Sequence, residues 1–287
     1  MRISIADIKQ KKNNSEKIAV VTAYDYSTAK ICDTSGIEII LVGDSAGMVM
    51  LGYESTIYVT VEEMLVFCKG VINGSKNALI VADMPFGSYQ SNLSLGFLNA
   101  IKFIKLGCNA VKLEGGKEVV PLIQKLTQSG IPVMAHIGLK PQTSPLWEGY
   151  KVQGKTNNTA IGLFNDALEL QKAGAFSIVL EMVTTEIAEK ISQSISIPTI
   201  GIGSGNKCDG QVIVLHDLLG LYDDIKPKFV KRYTESHSLF SSAIKNYVSD
   251  VKGGEFPNSI HTFSMPREEL EKFENYLSSL KTEKRIN

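Results

Sequence analysis

The chain lacks the features that mark several broad protein classes. Its 287 residues include only four cysteines, Cys32, Cys68, Cys108 and Cys208, far apart and without a C-x-x-C pair. That spacing offers no disulfide framework, and the four read as free thiols in a reducing, cytoplasmic setting. No apolar run approaches the roughly 20 residues of a membrane span. The segment from Met1 to Ile8 has no apolar core of the kind a secretory signal carries. Net charge is also missing, because 30 acidic residues balance 30 basic ones. No stretch concentrates Lys and Arg among aromatics, so nucleic acids and anionic membranes lose electrostatic support as partners.

What remains is an ordinary globular composition, 44% apolar and 21% charged. The length suits one α/β barrel, which commonly needs about 250 residues. The organising stretch is Ile39-Ile40-Leu41-Val42-Gly43-Asp44-Ser45-Ala46-Gly47. A short apolar run bounded by glycine reads as a strand buried on both faces, which is the habit of parallel sheets. Similar runs recur at 18–23, 78–83, 109–114, 131–136, 176–181, 197–203 and 211–216. The prolines at 132 and 198 fall at strand starts, where a missing donor is tolerated.

Helical patterns separate most of these runs. Ser27 is a candidate N-cap for a helix ending near Gly36, and Thr60-Val61-Glu62-Glu63 has capping-box spacing for one running to about Ile72. Further helices are expected over 94–106, from about 118 to Gly130, from about 162 to Gly174, and over 186–195. Residues 48–59 read as a long connection, and so do residues 136–160, which carry the only tryptophan, Trp147. A loop of that length is commonly a lid or binding loop. Eight strand candidates joined mostly by helices point to a (β/α)8 barrel, with a doubly wound open sheet as the alternative. Little room is left for a helix between the seventh and eighth strands. Beyond them, 239–251 and 268–280 have helical spacing, and Leu270, Phe273, Leu277 and Leu280 form an apolar stripe that fits either a barrel wall or a subunit contact.

The strands finish in polar residues. Their carboxyl ends carry Asp44-Ser45, Asp83, Glu114, His136, Glu181 and the segment Gly201-Ile202-Gly203-Ser204-Gly205. A single acid there reads as a cap; five polar or ionisable ends in six consecutive strands point to a functional mouth. Four carboxylates in one mouth repel one another, so some stay protonated or a cation sits among them. Oxygen donors without cysteine suit Mg2+ or Mn2+ over zinc. Asp44, Asp83 and Glu114 come from neighbouring strands and form the candidate metal set, with Glu181 facing a substrate across it. Lys112, two residues before Glu114, points into the same interior as a charge balance or an anchor for an anionic substrate. His136 is read as a hydrogen-bond donor to a substrate oxyanion, with an orienting role or a core histidine as alternatives. The glycine segment after strand seven fits a phosphate or the close approach of a bulky ligand.

The motifs Ala23-Tyr24-Asp25-Tyr26, Leu41-Val42-Gly43-Asp44-Ser45, Ala82-Asp83-Met84-Pro85-Phe86, Val111-Lys112-Leu113-Glu114-Gly115-Gly116, Gly149-Tyr150-Lys151-Val152-Gln153-Gly154 and Gly201-Ile202-Gly203 occur in one order. Together with Gly254-Glu255-Phe256-Pro257 they closely resemble the ketopantoate (3-methyl-2-oxobutanoate) hydroxymethyltransferase family, from about residue 3 to residue 263. The resemblance implies a (β/α)8 barrel that binds Mg2+ and a branched 2-oxo acid and takes a one-carbon unit from 5,10-methylenetetrahydrofolate. By the same resemblance Asp44, Asp83 and Glu114 hold the metal, the last partly through water. Asp44, Ser45, Asp83 and Lys112 contact the substrate, and Glu181 accepts the proton. Members form large homo-oligomers, often decamers. Ser204 departs from the alanine usual in the family's glycine segment, and the charged tail after Phe263 runs past the typical end. The expected organisation is thus a catalytic barrel over 1–263 and a helical extension over 264–287. Rival readings are a Mg2+-enolate barrel of the isocitrate lyase and phosphoenolpyruvate mutase type, which commonly uses a cysteine in a mobile loop, where no cysteine here follows a strand end with a suitable basic loop and Cys208 comes nearest, and a silent oxo-acid-binding barrel.

Overall fold

Strands β1 (Ile18–Thr22), β2 (Ile39–Val42), β3 (Leu79–Asp83), β4 (Ala110–Glu114), β5 (Val133–Gly138), β6 (Ser177–Glu181), β7 (Thr199–Ile202) and β8 (Gly210–Ile213) are parallel and close into a barrel in sequence order. The computed structural model describes residues 2–143, 149–223 and 227–283. Closure is made by β1 against β8, with Ile18 opposite Gly210 and Val21 opposite Ile213. An open doubly wound sheet would leave those two strands as edges, so that alternative is excluded.

The pleat explains the burial. On β2 all four residues are buried. Ile39 and Leu41 point inward and pack with Val20, Val81, Met134 and Ile200, while Ile40 and Val42 point outward into the layer beneath the helices. The same alternation gives the two cores of the barrel, one inside the strands and one between strands and helices. Helix α1 (Ile5–Asn13), capped by Ser4, buries Ile8 in the inner core and so closes the end opposite the strand carboxyl ends.

The outer layer is built from α2 (Tyr26–Thr34), α4 (Val61–Gly74), α5 (Leu93–Leu106), α6 (Val120–Gln128), α7 (Asn157–Lys172) and α8 (Thr185–Ser194). Thr60 and Glu63 make the expected reciprocal capping box on α4, and Gly107 ends α5 in the left-handed conformation. Four details differ from the sequence reading. The N-cap of α2 is Asp25, whose carboxylate accepts from the Ser27 and Thr28 N–H groups; Ser27 itself lies inside the helix. The connection after Asp44 contains a short helix, α3 (Ala46–Leu51). Helix α7 begins at Asn157, because Thr156 and Thr159 cap one another. Strand β8 stops at Ile213, and His216 belongs to α9 (Leu215–Leu219). The expected lid residue Trp147 lies outside the described residues.

By internal contact the chain divides into two units, Met1–Thr234 and Glu235–Asn287. The second contains α10 (Ser236–Gly253) and α11 (Arg267–Glu283). Among the described residues no helix is long and apolar enough to cross a membrane.

Candidate active site

Parity along the strands decides which side chains reach the interior. Asp83 follows Val81 by two residues, Lys112 and Glu114 follow Ala110, His136 follows Met134, and Glu181 follows Val179; each partner is an inner-core residue. The register then brings them side by side. Asp83 lies opposite Lys112, Glu114 opposite His136, and Gly138 opposite Glu181. Asp44 and Ser45 follow the end of β2 in a tight turn, where the Ala46 and Gly47 N–H groups bond back to Gly43 and Asp44. All seven residues singled out by sequence, Asp44, Ser45, Asp83, Lys112, Glu114, His136 and Glu181, line one cavity of about 460 Å3 at the carboxyl ends of the strands. Met48, Leu139, Tyr150, Met182 and Phe229 supply much of its apolar wall.

The polar contacts are close and mostly buried. Lys112 Nζ donates to Asp83 Oδ1 at 2.5 Å and lies 3.7 Å from Glu114 Oε1. The other Asp83 oxygen, Oδ2, accepts from the Asp44 N–H at 3.3 Å. Ser45 Oγ shares a hydrogen bond with Tyr24 Oη at 2.8 Å. His136 sits between two acids, with Nδ1 3.6 Å from Glu114 Oε1 and Nε2 3.3 Å from Glu181 Oε2. Both ring nitrogens are buried and lack a hydrogen-bonding partner among the described residues. The Leu139 main chain and the Glu181 carboxylate lie close to them, the first favouring the protonated ring.

Burial and crowding set the charges. Burial, and after it the charge of Asp83, pushes the Asp44 carboxyl up to about 7, while Lys112 and an amide donor from Gln142 pull the other way. Burial raises Glu114 well above the usual carboxylate range, and Asp44, Asp83 and Glu181 add to it against the opposing charge of Lys112. Glu181 is pushed by burial to about 7, with Lys112 opposing. Lys112 itself would be lowered by burial, but Asp83, Glu114 and Asp44 outweigh that and raise it, so it stays a cation. Burial and then Lys112 hold His136 well below its ordinary value, so the imidazole is neutral near pH 7. Four acids thus face one fixed cation, and a second positive charge in the mouth would lower the energy of the ionised set.

Several residues that position the site lie outside the strand-end pattern of the sequence. Gln142, on the loop after β5, donates from Nε2 to Asp44 Oδ2 at 2.8 Å. Tyr89 Oη accepts from the Glu114 N–H at 3.0 Å. Ser204 does not line the cavity; its hydroxyl donates to the Leu180 carbonyl at 2.7 Å and accepts from the Val183 N–H at 3.0 Å. It therefore braces both sides of the Glu181–Met182 corner, where Met182 holds a left-handed φ of 47°. The glycine segment has a structural use too, since a Cβ on Gly205 would meet Thr185 Cγ2 at 2.6 Å. Polar residues in polar loops look alike in one dimension, and only the fold shows which of them turn inward.

The fold and the residue set agree with what the chain is similar to. A family model described as ketopantoate hydroxymethyltransferase matches residues 2–259. A relative from Nitrosopumilus maritimus named 3-methyl-2-oxobutanoate hydroxymethyltransferase is 51% identical over 279 residues, covering 97% of this chain and 100% of its own length. One of the same name from Carboxydothermus hydrogenoformans is 53% identical over 272 residues, covering 94% and 99%. Among solved structures, a phosphoenolpyruvate phosphomutase from Streptomyces platensis subsp. rosaceus aligns with TM-score 0.60 at 13% identity over 98% and 99% of the two chains. A phosphonopyruvate hydrolase complexed with oxalate and Mg2+ gives TM-score 0.60 at 10% identity over 98% and 99%. At such identities the last two speak for the barrel alone, while the full-length relatives speak for the chemistry. The chain is an enzyme and belongs to the ketopantoate hydroxymethyltransferase family.

Proposed function

We propose that the enzyme moves a hydroxymethyl group from 5,10-methylenetetrahydrofolate to C3 of 3-methyl-2-oxobutanoate, giving 2-dehydropantoate, with Mg2+ held at Asp44 and Asp83. The observation that carries this reading is the pairing, in one cavity, of a nearly buried base at about neutral pKa, Glu181, with an acid pair and a fixed cation, Lys112. A cavity of about 460 Å3 is larger than a five-carbon oxo acid needs, and its apolar wall leaves space for a second, flatter substrate.

The donor set fits a hard cation. Among the described residues no three His, Cys, Asp or Glu side chains stand as a ready ligand group. The Asp44–Asp83 pair, with Glu114 behind it, instead suits an ion that keeps water and substrate oxygens in its shell, which is the habit of Mg2+. Bound there, Mg2+ would supply Lewis-acid polarisation of the keto group. The chain's own residues do the rest. Lys112 and Ser45 hold the substrate carboxylate, and the neutral imidazole of His136 donates to an oxygen of the substrate. Glu181 takes the C3 proton on its carboxylate, and the electron pair left at C3 is delocalised toward the keto oxygen. Water opens the folate-derived methylene, breaking its bonds to nitrogen and releasing formaldehyde and tetrahydrofolate; C3 then bonds to the formaldehyde carbon, whose oxygen takes a proton to complete the hydroxymethyl group.

The test separates the two halves. Loss of the C3 proton signal of 3-methyl-2-oxobutanoate in deuterated buffer with enzyme and Mg2+, without folate, would establish the proton-transfer step. Product formation on adding 5,10-methylenetetrahydrofolate would establish the transfer. Absence of exchange with Mg2+ present would reject the assignment. The apolar stripe Leu270, Phe273, Leu277 and Leu280 on α11 supports a homo-oligomer, to be read as a mass well above one chain by light scattering.

A further inference from the structure

Gln142 is fully buried and uses every hydrogen-bonding valence of its side chain. Nε2 donates to Asp44 Oδ2 at 2.8 Å and to the Met84 carbonyl at 2.9 Å. Oε1 faces the Tyr89 hydroxyl at 2.8 Å and accepts from Gln90 Nε2 at 3.3 Å. Its main-chain N–H donates to Glu114 Oε2 at 3.1 Å. The orientation of the amide is unambiguous, because the Met84 carbonyl only accepts. A flipped amide would set its oxygen against that carbonyl and against a carboxylate.

One residue on the loop after β5 therefore ties together the ends of β2, β3 and β4. Asp44 is gripped through Oδ2 alone, and its Oδ1 makes no hydrogen bond among the described residues. No smaller or differently charged side chain meets the same four demands. Glutamate has no amide donor for Asp44, methionine fills the space without any donor, and asparagine falls one methylene short.

We propose that Gln142 is a positioning residue for Asp44 and Glu114, fixing them so that the free oxygen of Asp44 is presented to a divalent cation. The inference rests on the reading of Asp44 and Asp83 as the cation-holding pair. Its physical basis is preorganisation: a carboxylate already held in its ligating rotamer loses no side-chain freedom when the ion binds. The carboxylate is also shielded from relaxing onto Lys112, which Asp83 already occupies. Glu114 is held by a main-chain donor, so side-chain replacement at Gln142 acts chiefly through Asp44.

The experiment is a calorimetric titration of the full-length enzyme with MgCl2, without substrates and well below the thermal midpoint, for the wild type, Gln142→Met, Gln142→Asn and Asp44→Asn. With Asp44 free to turn, binding must order it again, which is expected to weaken Mg2+ binding by about three- to tenfold in both Gln142 variants. Asp44→Asn is expected to weaken it further. Thermal unfolding is recorded alongside, since a side chain that merely fills space would lower the midpoint and leave affinity on the folded protein unchanged. Affinity within about twofold of wild type in Gln142→Asn, with Asp44→Asn impaired, overturns the inference alone. A wild type that binds no Mg2+ overturns the reading of the acid pair and the inference with it. Should Gln142→Met fail to fold, Gln142→Asn carries the measurement.

Discussion

Acid should switch proton abstraction off through a single group, Glu181. Burial pushes its carboxyl up to about 7, from an ordinary value of 4.5, and only Lys112 opposes. The shift corresponds to about 3 kcal/mol of penalty on the ionised form. With saturating Mg2+ keeping the acid pair ionised, the exchange rate of the C3 proton should follow the ionised fraction of Glu181. Because that cation also favours the ionised carboxylate, the midpoint should lie at or below about 7, and the rate should fall about tenfold per pH unit beneath it. The assay is proton NMR of the C3 signal in deuterated buffer across that range. Glu181→Gln should lower exchange by about 10²–10⁴-fold and flatten the profile. A second, independent readout comes from stability. Between the unfolded and folded pKa values the native state binds more protons, so stability falls as pH rises from about 4.5 to about 7. Metal-free Glu181→Gln should therefore unfold at higher urea than wild type at pH 8, and the gain should vanish below about pH 4.5. A wild-type exchange profile that is flat from pH 5 to 8, or that has its midpoint near 4.5, refutes the reasoning.

Three further outcomes follow from the geometry. Asp33, on α2, accepts from the Ala78 and Asn77 N–H groups, Ser75 Oγ and Asn77 Nδ2 at 2.7–2.9 Å. Burial would raise its carboxyl, but these donors hold it well below the usual range. Asp33→Asn should cost about 3 kcal/mol by urea unfolding at pH 7. Because the folded pKa is depressed, that deficit should shrink as pH falls below about 4, and a constant deficit would contradict the reading. Ser204→Ala leaves the buried Val183 N–H unpaired and should cost about 1 kcal/mol by the same measurement; equal unfolding midpoints would deny the brace. Gly138 has φ 99°, and a Cβ there would lie 2.2 Å from the Glu181 carbonyl oxygen. Gly138→Ala should displace Glu181 and reduce C3 exchange by on the order of 10²-fold in protein that still folds; wild-type exchange rates would show that the corner yields freely.

The site was more legible in the sequence than its supports. Asp83, Glu114 and Glu181 announce themselves because each ends an apolar run, and a strand buried on both faces tolerates a charge only where it leaves the sheet. The capping box at Thr60 was legible for a similar reason, since both partners are local. Helix α3 was not, because its six residues carry a glycine and show no clear period. The start of α7 was missed because Thr159 replaces the usual Glu or Gln of the box. At α2, Ser27 and Asp25 are both good caps, and the choice depends on where the chain leaves β1. Gln142, Tyr89 and Ser204 make their decisive contacts 21 to 98 residues away, with Val183, Glu114 and Asp44, beyond the reach of any local pattern.

The eight strands, their order, the acids at their ends and the family can all be read along the chain, because these are properties of short-range pattern and spacing. The tertiary structure alone decided that β1 meets β8, which turns a row of strand ends into one mouth. It also decided the charges inside that mouth. Burial raises the Glu181 carboxyl to about 7 against the opposing charge of Lys112, and burial together with Lys112 keeps His136 uncharged, conditions that exist only once the barrel has closed. Desolvation and Coulomb interaction depend on distance in space, which the order of residues along the chain does not contain.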